Sequence, residues 1–271
     1  MAQWRIVPVA QIDSDKWDEC VCRHKREVFS EYWYWNAVCN SWQAWVKGDY
    51  EDVLALPLER KWGIVPFMRT PLYVKWIEGD GEQLQKLIQS FFGFRRVHLP
   101  YEWKGANRRS FQLLILQQDW APSKELAKNI RKAESENPEF VESVEWEDFS
   151  VFMMKHHPYP FPDVQRKAMH KLYDQALSRK VGKIAGVKMH GQWSAMQFYI
   201  CDKSKTYLIQ NVVAADLRSR EPMPFLLNVL FRQWQSADTP VTLNFMGSNH
   251  AGVARFNEKF GAVNTFYWEF P

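Results

Sequence analysis

At 271 residues, 46% hydrophobic and 24% charged, the chain has the make-up of a packed globular protein with room for two ordinary domains, which excludes wholesale disorder. The formal net charge of +4 is spread along the chain, and its compact basic groups, Arg108-Arg109 and Arg131-Lys132, are not interleaved with aromatics, which argues against dedicated nucleic-acid binding. Aromatic residues reach 15%, including 14 Trp, enough to fill a core with large rings and to line a pocket for an extended or ring-bearing ligand.

No run approaches the ~18 apolar residues of a membrane span, and the first residues lack the apolar segment that directs secretion, so a cytoplasmic location is expected. The four cysteines, Cys20, Cys22, Cys39 and Cys201, form no CxxC pair, and no histidine stands at zinc-finger spacing from them. Their spacing predicts no metal site.

In chain order, residues 4–9 predict a strand and residues 16–22 a short helix capped by Asp13 or Ser14. A second helix starts near Glu31 and carries four adjacent rings, Tyr32 to Trp35. Successive helical residues turn by about 100°, so some of these rings are expected to point away from the local core. Tyr32 and Trp35 share a face suited either to packing or to walling a substrate cleft. Strands at 42–46 and 53–58 read as a hairpin around Gly48-Asp49. Arg69 then offers a positive charge at a strand end. Residues 82–92 form an amphipathic helix through Leu84, Leu87, Ile88, Phe91 and Phe92, stopped by Gly93. Strands at 95–99 and 111–116 flank a polar loop at 101–110.

The second half opens on a helix at 123–137, capped by Ser123, with Leu126, Ile130 and Ala133 inward and Pro138 beyond its end. A strand at 140–144 and a short helix at 149–155 lead to His156-His157-Pro158-Tyr159. Adjacent histidines in extended backbone point opposite ways, which disfavours a metal reading of the pair. A long amphipathic helix at 164–179, strands at 182–189, 193–201 and 206–213, and a helix at 223–235 follow. The closing stretch reads as a strand at 242–245, a Gly247-Ser248 turn, a helix carrying Val253, Phe256 and Phe260, a stop at Gly261 and a strand at 263–270. A turn that leaves a strand and opens a helix aims backbone N–H groups beyond the strand's carboxyl end, where a ligand would sit.

Gly247-Ser248, Gly252-Val253, Arg255-Phe256 and Lys259-Phe260-Gly261-Ala262 resemble the closing segment of the FemAB-like proteins of the GNAT acyltransferase superfamily. The spacing of Leu56-Pro57, Lys61, Gly63-Ile64, Pro71 and Gly79 is similar to the N-terminal half of that family. Asn129-Ile130-Arg131-Lys132-Ala133 is similar to the helix that starts its second domain. The resemblance implies an α/β protein of two tandem GNAT-like folds, mostly antiparallel sheets with flanking helices. The first, at 1–120, is degenerate; the second, at 121–271, is the acyltransferase domain, and the two meet along a ring-lined trough. It further implies acyl or aminoacyl transfer to an amine on a small-molecule or cell-envelope precursor, with acyl-CoA or aminoacyl-tRNA as donor.

In GNAT domains the donor's pyrophosphate rests on amides of a glycine-rich loop. The matching residues here, 211–222, contain no glycine, so side chains crowd that approach, and Arg218 and Arg220 are left to hold a phosphate by side chain. The chemistry needs a neutral amine, an activated ester and a polar group at the developing oxyanion, and it needs no nucleophilic triad. The catalytic candidates are Asn211, Ser248 and His157. The substrate-binding candidates are Tyr32, Trp35, Arg69, Tyr159, Arg218, Asn244 and Asn249, and His250 is a further polar group at the last helix start. Asn257 stands where the family often has a lysine. With the glycine-free loop, it favours an alternative, a catalytically inactive ligand- or partner-binding protein of the same fold.

Overall fold

The computed structural model describes residues 2–61, 65–90, 94–157, 162–203, 205–236, 241–247 and 249–270, with backbone alone for 59–61, 65–66 and 94–95. It divides into two compact units: one of Met1–Arg109 with Phe266–Pro271, the other of Ser110–Thr265. No helix among the described residues is long and apolar enough to cross a membrane.

In the first unit, β1 (Trp4–Val7) ends before Pro8, and a single 3-10 turn occupies the rest of the expected strand. Helix α1 (Ser14–Arg23) is capped by Asp13, whose side chain accepts from the Lys16 amide. Helix α2 (Tyr32–Val38) departs from expectation: Trp33, Tyr34 and Trp35 are all buried. Only Asn36 of the helix is exposed, so Trp33, Tyr34 and Trp35, leaving it in different directions, all find cover. Trp35 and Trp17 of α1 both pack on Trp42, at 5.8 and 5.4 Å between ring centroids, and Tyr34 donates its hydroxyl to the Tyr73 carbonyl. Strands β2 (Trp42–Lys47) and β3 (Asp52–Pro57) form the expected hairpin, with β1 on its outer edge.

Strands β4 (Glu59–Lys61), β5 (Val65–Arg69) and β6 (Phe94–Leu99) build a second sheet, with α3 (Gly81–Ser90) between the last two. The expected helix continuation at Phe91, Phe92 and Gly93, and Gly63-Ile64 of the family spacing, lie outside the described residues. The end of the chain's last strand pairs antiparallel with β6, Trp268 opposite Leu99. It brings Glu269 to Arg96, His98 and Arg109, at 3.1, 3.2 and 2.8 Å.

The second unit runs through β7 (Asn107–Leu116, its first three residues belonging to the first unit), α4 (Lys124–Glu134), β8 (Glu139–Val141), α5 (Trp146–His156), α6 (Asp163–Ser178), β9 (Gly182–Met189), β10 (Gln192–Asp202), β11 (Lys205–Val213), α7 (Pro222–Gln235), β12 (Val241–Asn244), α8 (Ala251–Glu258) and β13 (Val263–Phe270), whose last residues are those already described. Ser123 caps α4 as its position predicts. Strands β8 to β11 form an antiparallel meander; β12 then joins β11 in parallel and β7 antiparallel. Strand β10 is buried from Ser194 to Ile200 because helices cover both its faces: Phe198 meets Tyr173 of α6 at 5.8 Å, and the next residue, Tyr199, meets Trp234 of α7 at 5.1 Å. On the α7 side the core centres on Phe231, fully buried among Trp120, Trp234, Phe245 and Phe260.

Two stability measurements follow from this packing. Phe231→Ala should cost about 3–5 kcal/mol in chemical unfolding, whereas Ile115→Ala, at a 61% exposed position, should stay within about 0.5 kcal/mol. The second concerns acid. Burial alone pushes the Glu269 carboxyl up, but hydrogen bonds from Arg109 and His98 and the charges of Arg109 and Arg96 outweigh it and hold the pKa at about 2 instead of 4.5. A carboxyl depressed in the folded state adds stability that is complete above its unfolded pKa and is lost as pH falls through the folded value. The unfolding midpoint should therefore drop between pH 4.5 and 2, and Glu269→Gln should flatten that limb.

Candidate functional site

The pairing of β11 with β12 is short. It runs from Lys205 opposite Thr242 to Tyr207 opposite Asn244, while β11 continues to Val213 along β10. Beyond Asn244 the chain stays attached to β7, the Phe245 amide donating to the Gln112 carbonyl at 3.0 Å, and leaves β11 behind. The Asn244 side chain, 4% exposed, accepts from the Met246 amide at 2.8 Å, and Met246 itself takes a left-handed conformation with φ 61°. The two parallel strands part at this point, and β11 runs on to Asn211, Val212 and Val213 without β12 beside it.

A cavity of about 600 Å³ is associated with this end of the sheet. Asn211, Val212 and Val213 of β11 line it, with Arg218 and Glu221 from the following loop. The first turn of α7 contributes Pro222, Met223 and Pro224, and α8 contributes Gly252, Val253 and Phe256 with its cap residue His250. The end of α5 adds His156 and His157. The walls are thus aliphatic and aromatic, with a few polar groups among them: three imidazoles, one amide, one guanidinium and one carboxylate. That mixture suits a ligand with an apolar body and a reactive polar end.

Local structure explains each placement. Trp146–His156 is helical and His157 follows as its C-cap in extended backbone, φ −65° and ψ 132°, so the two histidines straddle the helix end, and both line the cavity. Burial, with Lys155 beside it, lowers the pKa of His156 against the opposing pull of Asp216, so its ring is neutral near neutral pH. His250 caps α8, its Nδ1 accepting from the Gly252 amide at 3.2 Å. Glu221 caps α7 in a left-handed conformation, φ 60° and ψ 40°, costly for a residue with a Cβ. Its carboxylate lies at the positive end of the helix. Pro222 and Pro224 have no N–H, and the Phe225 amide is directed at the Glu221 carbonyl at 3.4 Å. The first turn of α7 therefore presents few amides and one negative charge to an incoming anion. It is a poor cradle for a pyrophosphate, in line with the glycine-free loop before it.

Of the residues singled out in the sequence, Asn211, His157 and Arg218 meet at this cavity together with His250. Asn244 and Asn249 shape the β12 to α8 connection: the first as described, the second by accepting from the Ser110 amide at 3.0 Å. Tyr32, Trp35 and Arg69 belong to the first unit. There Trp35 is 2% exposed, Tyr32 donates its hydroxyl to the Val9 carbonyl, and Arg69 is an exposed end of β5. Ser248 and Tyr159 lie outside the described residues. Asn257 is buried in α8 at 2% exposure. His156 and Glu221 line the cavity without having been selected. The run Glu221-Pro222-Met223-Pro224 was the available signal, since a proline-rich helix start demands an unusual residue before it.

No protein-family model matches the sequence, and a search of curated proteins finds no match. Solved structures do match in fold. FemX superposes with a TM-score of 0.68 at 10% identity, over 99% of this chain and 97% of that one. L-PGS from Bacillus licheniformis gives 0.59 at 12% identity, over 95% and 90%. A tandem GNAT protein from the clavulanic acid biosynthesis pathway gives 0.58 at 11% identity, over 99% and 97%. The chain has the tandem GNAT-like fold that the sequence resemblance implied.

The strained cap gives a clean comparison. Glu221→Gly and Glu221→Ala both remove the carboxylate, but only glycine relieves the left-handed backbone. The glycine variant should be the more stable by about 1 kcal/mol in urea unfolding.

Proposed function

We propose that the protein is an acyltransferase that joins an acyl or aminoacyl group to an amine, with the reaction centred on the cavity where β11 and β12 part. The observation that carries this reading is the meeting of His157, Asn211 and Arg218 with His156 and His250 at one partly apolar cavity, on a fold shared with FemX and a tandem GNAT protein. In the reaction the neutral acceptor amine attacks the donor carbonyl. His157 takes the proton released by the amine, the Asn211 amide donates to the developing oxyanion, and the ester or thioester bond then breaks as the leaving oxygen or sulfur is protonated. Arg218 holds an anionic part of donor or acceptor. The transfer belongs to the C-terminal domain, 121–271, and the N-terminal domain, 1–120, is its degenerate partner.

The start of α7 bears on the donor. With Pro222 and Pro224 in its first turn and the Glu221 carboxylate before them, it disfavours a donor that must rest a pyrophosphate there. It favours an ester such as aminoacyl-tRNA over acyl-CoA. The acceptor in this reading is an amine on a small molecule or a cell-envelope precursor, and the protein acts in the cytoplasm. The same helix start, with the buried Asn257 in place of a lysine, supports the second reading, a ligand-binding protein without turnover.

Purified protein given charged tRNA or acyl-CoA, each with a panel of small amines, separates the two. Transfer from charged tRNA is the expected result, with His157→Ala lowering kcat/KM by about 10² to 10⁴ and Asn211→Ala by about 10² to 10³. Absence of turnover with every donor, alongside saturable binding of an amine or ester that His157→Ala weakens, would establish the binding protein instead.

A further inference from the structure

A second meeting of reactive groups lies within the first unit and plays no part in the transfer reading. One helical turn separates Cys20 from His24 at the end of α1, so the two share a face. Asp52 opens β3. The Cys20 Sγ, a His24 ring nitrogen and an Asp52 carboxylate oxygen lie within 4.8 Å of one another. Cys20 and Asp52 are buried, and His24 is exposed.

Hydrogen bonds around the three prepare them as ligands. The His24 Nε2 lies 3.0 Å from the Glu51 carbonyl oxygen. A ring that donates Nε2–H there keeps its lone pair on Nδ1, as imidazoles that bind metals do when their other nitrogen is tied to a carbonyl. The Asp52 carboxylate receives the Arg26 guanidinium and the Val53 amide, both on Oδ1, which orients the group and leaves Oδ2 for a single-oxygen bond to a cation.

We propose that Cys20, His24 and Asp52 bind a divalent ion of the zinc class. A thiolate, an imidazole and one carboxylate oxygen suit Zn²⁺ or Co²⁺, whereas Mg²⁺ and Ca²⁺ take all-oxygen shells. Tetrahedral coordination places such ligand atoms about 3.3–3.6 Å apart, so closure takes a shift of about 1 Å, which the exposed His24 side chain can supply. Water fills the fourth position from the His24 side. Binding replaces the Cys20 S–H bond by a sulfur–metal bond and releases that proton to solvent. The ion ties the end of α1 to the β2–β3 hairpin, and a first unit stabilised by metal is the consequence. Cysteine spacing in the chain gave no hint of it, because Asp52 arrives through the hairpin.

The test titrates the full chain, stripped by chelator, with Co²⁺ and follows its absorption. The expected result is one Co²⁺ per chain, with a thiolate-to-cobalt charge-transfer band and the strong visible bands of tetrahedral cobalt, both bleached by one equivalent of Zn²⁺. His24→Ala, at an exposed position that leaves the fold intact, should weaken binding by at least about tenfold. Cys20→Ser should abolish the charge-transfer band, and Cys22→Ser should leave it unchanged. Absence of the bands at stoichiometric Co²⁺, bands that titrate with unchanged affinity in His24→Ala, or loss of the bands in Cys22→Ser would each overturn the proposal.

Discussion

The second unit is governed by the point at which β12 stops following β11. Three residue pairs hold the two parallel strands together, and then the Phe245 amide turns to Gln112 on β7 while β11 goes on alone. The departure is held by the buried Asn244 side chain on the Met246 amide and by a left-handed Met246. Unpaired strand edges inside a sheet leave backbone groups to be satisfied and space to be filled. The sheet tolerates this gap because the helix starts of α7 and α8 and the end of α5 close around it. The cavity is lined by the end of β11, the starts of α7 and α8 and the end of α5.

The polar groups of the cavity divide according to what supports them. His250 is committed to the Gly252 amide through Nδ1, which leaves its other nitrogen for the cavity, and burial keeps His156 neutral. Glu221 combines backbone strain with a charge near the site, the pairing expected where a local conformation is retained for reasons other than stability. The prolines behind it remove hydrogen-bond donors that a helix start ordinarily offers an anion. The outcome is a helix terminus whose usual ligand preference has been reversed by composition alone.

Much of the fold was legible because local rules and tertiary demands agree. The strand at Gly182–Met189 and the closing strand at Val263–Phe270 have the expected limits, and Ser123 and Asp13 cap the helices they were assigned. Where they disagreed, enclosure was the cause. Helical geometry correctly sends the rings of α2 in different directions, but a single stretch of sequence cannot reveal that packing covers all of Trp33, Tyr34 and Trp35. The site was legible in part for a similar reason. Asn211 and Arg218 could be found from a strand end and the loop after it. His157 could be found from a break between helices. Glu221 owes its place to a backbone conformation that no pattern of polarity records, and Asn244 works through a local hydrogen bond within its own turn.

The division of the closing strand between the units has an effect on how the protein is made. Trp268–Phe270 pair with β6 in the unit that begins at the amino terminus, and Glu269 there anchors Arg96, His98 and Arg109. The ribosome delivers those residues only after the whole of the other unit has emerged. The earlier-made unit must therefore wait, with the edge of β6 open, while the later-made one already holds every strand of its meander. Vulnerability during synthesis falls on the part of the chain that is translated first.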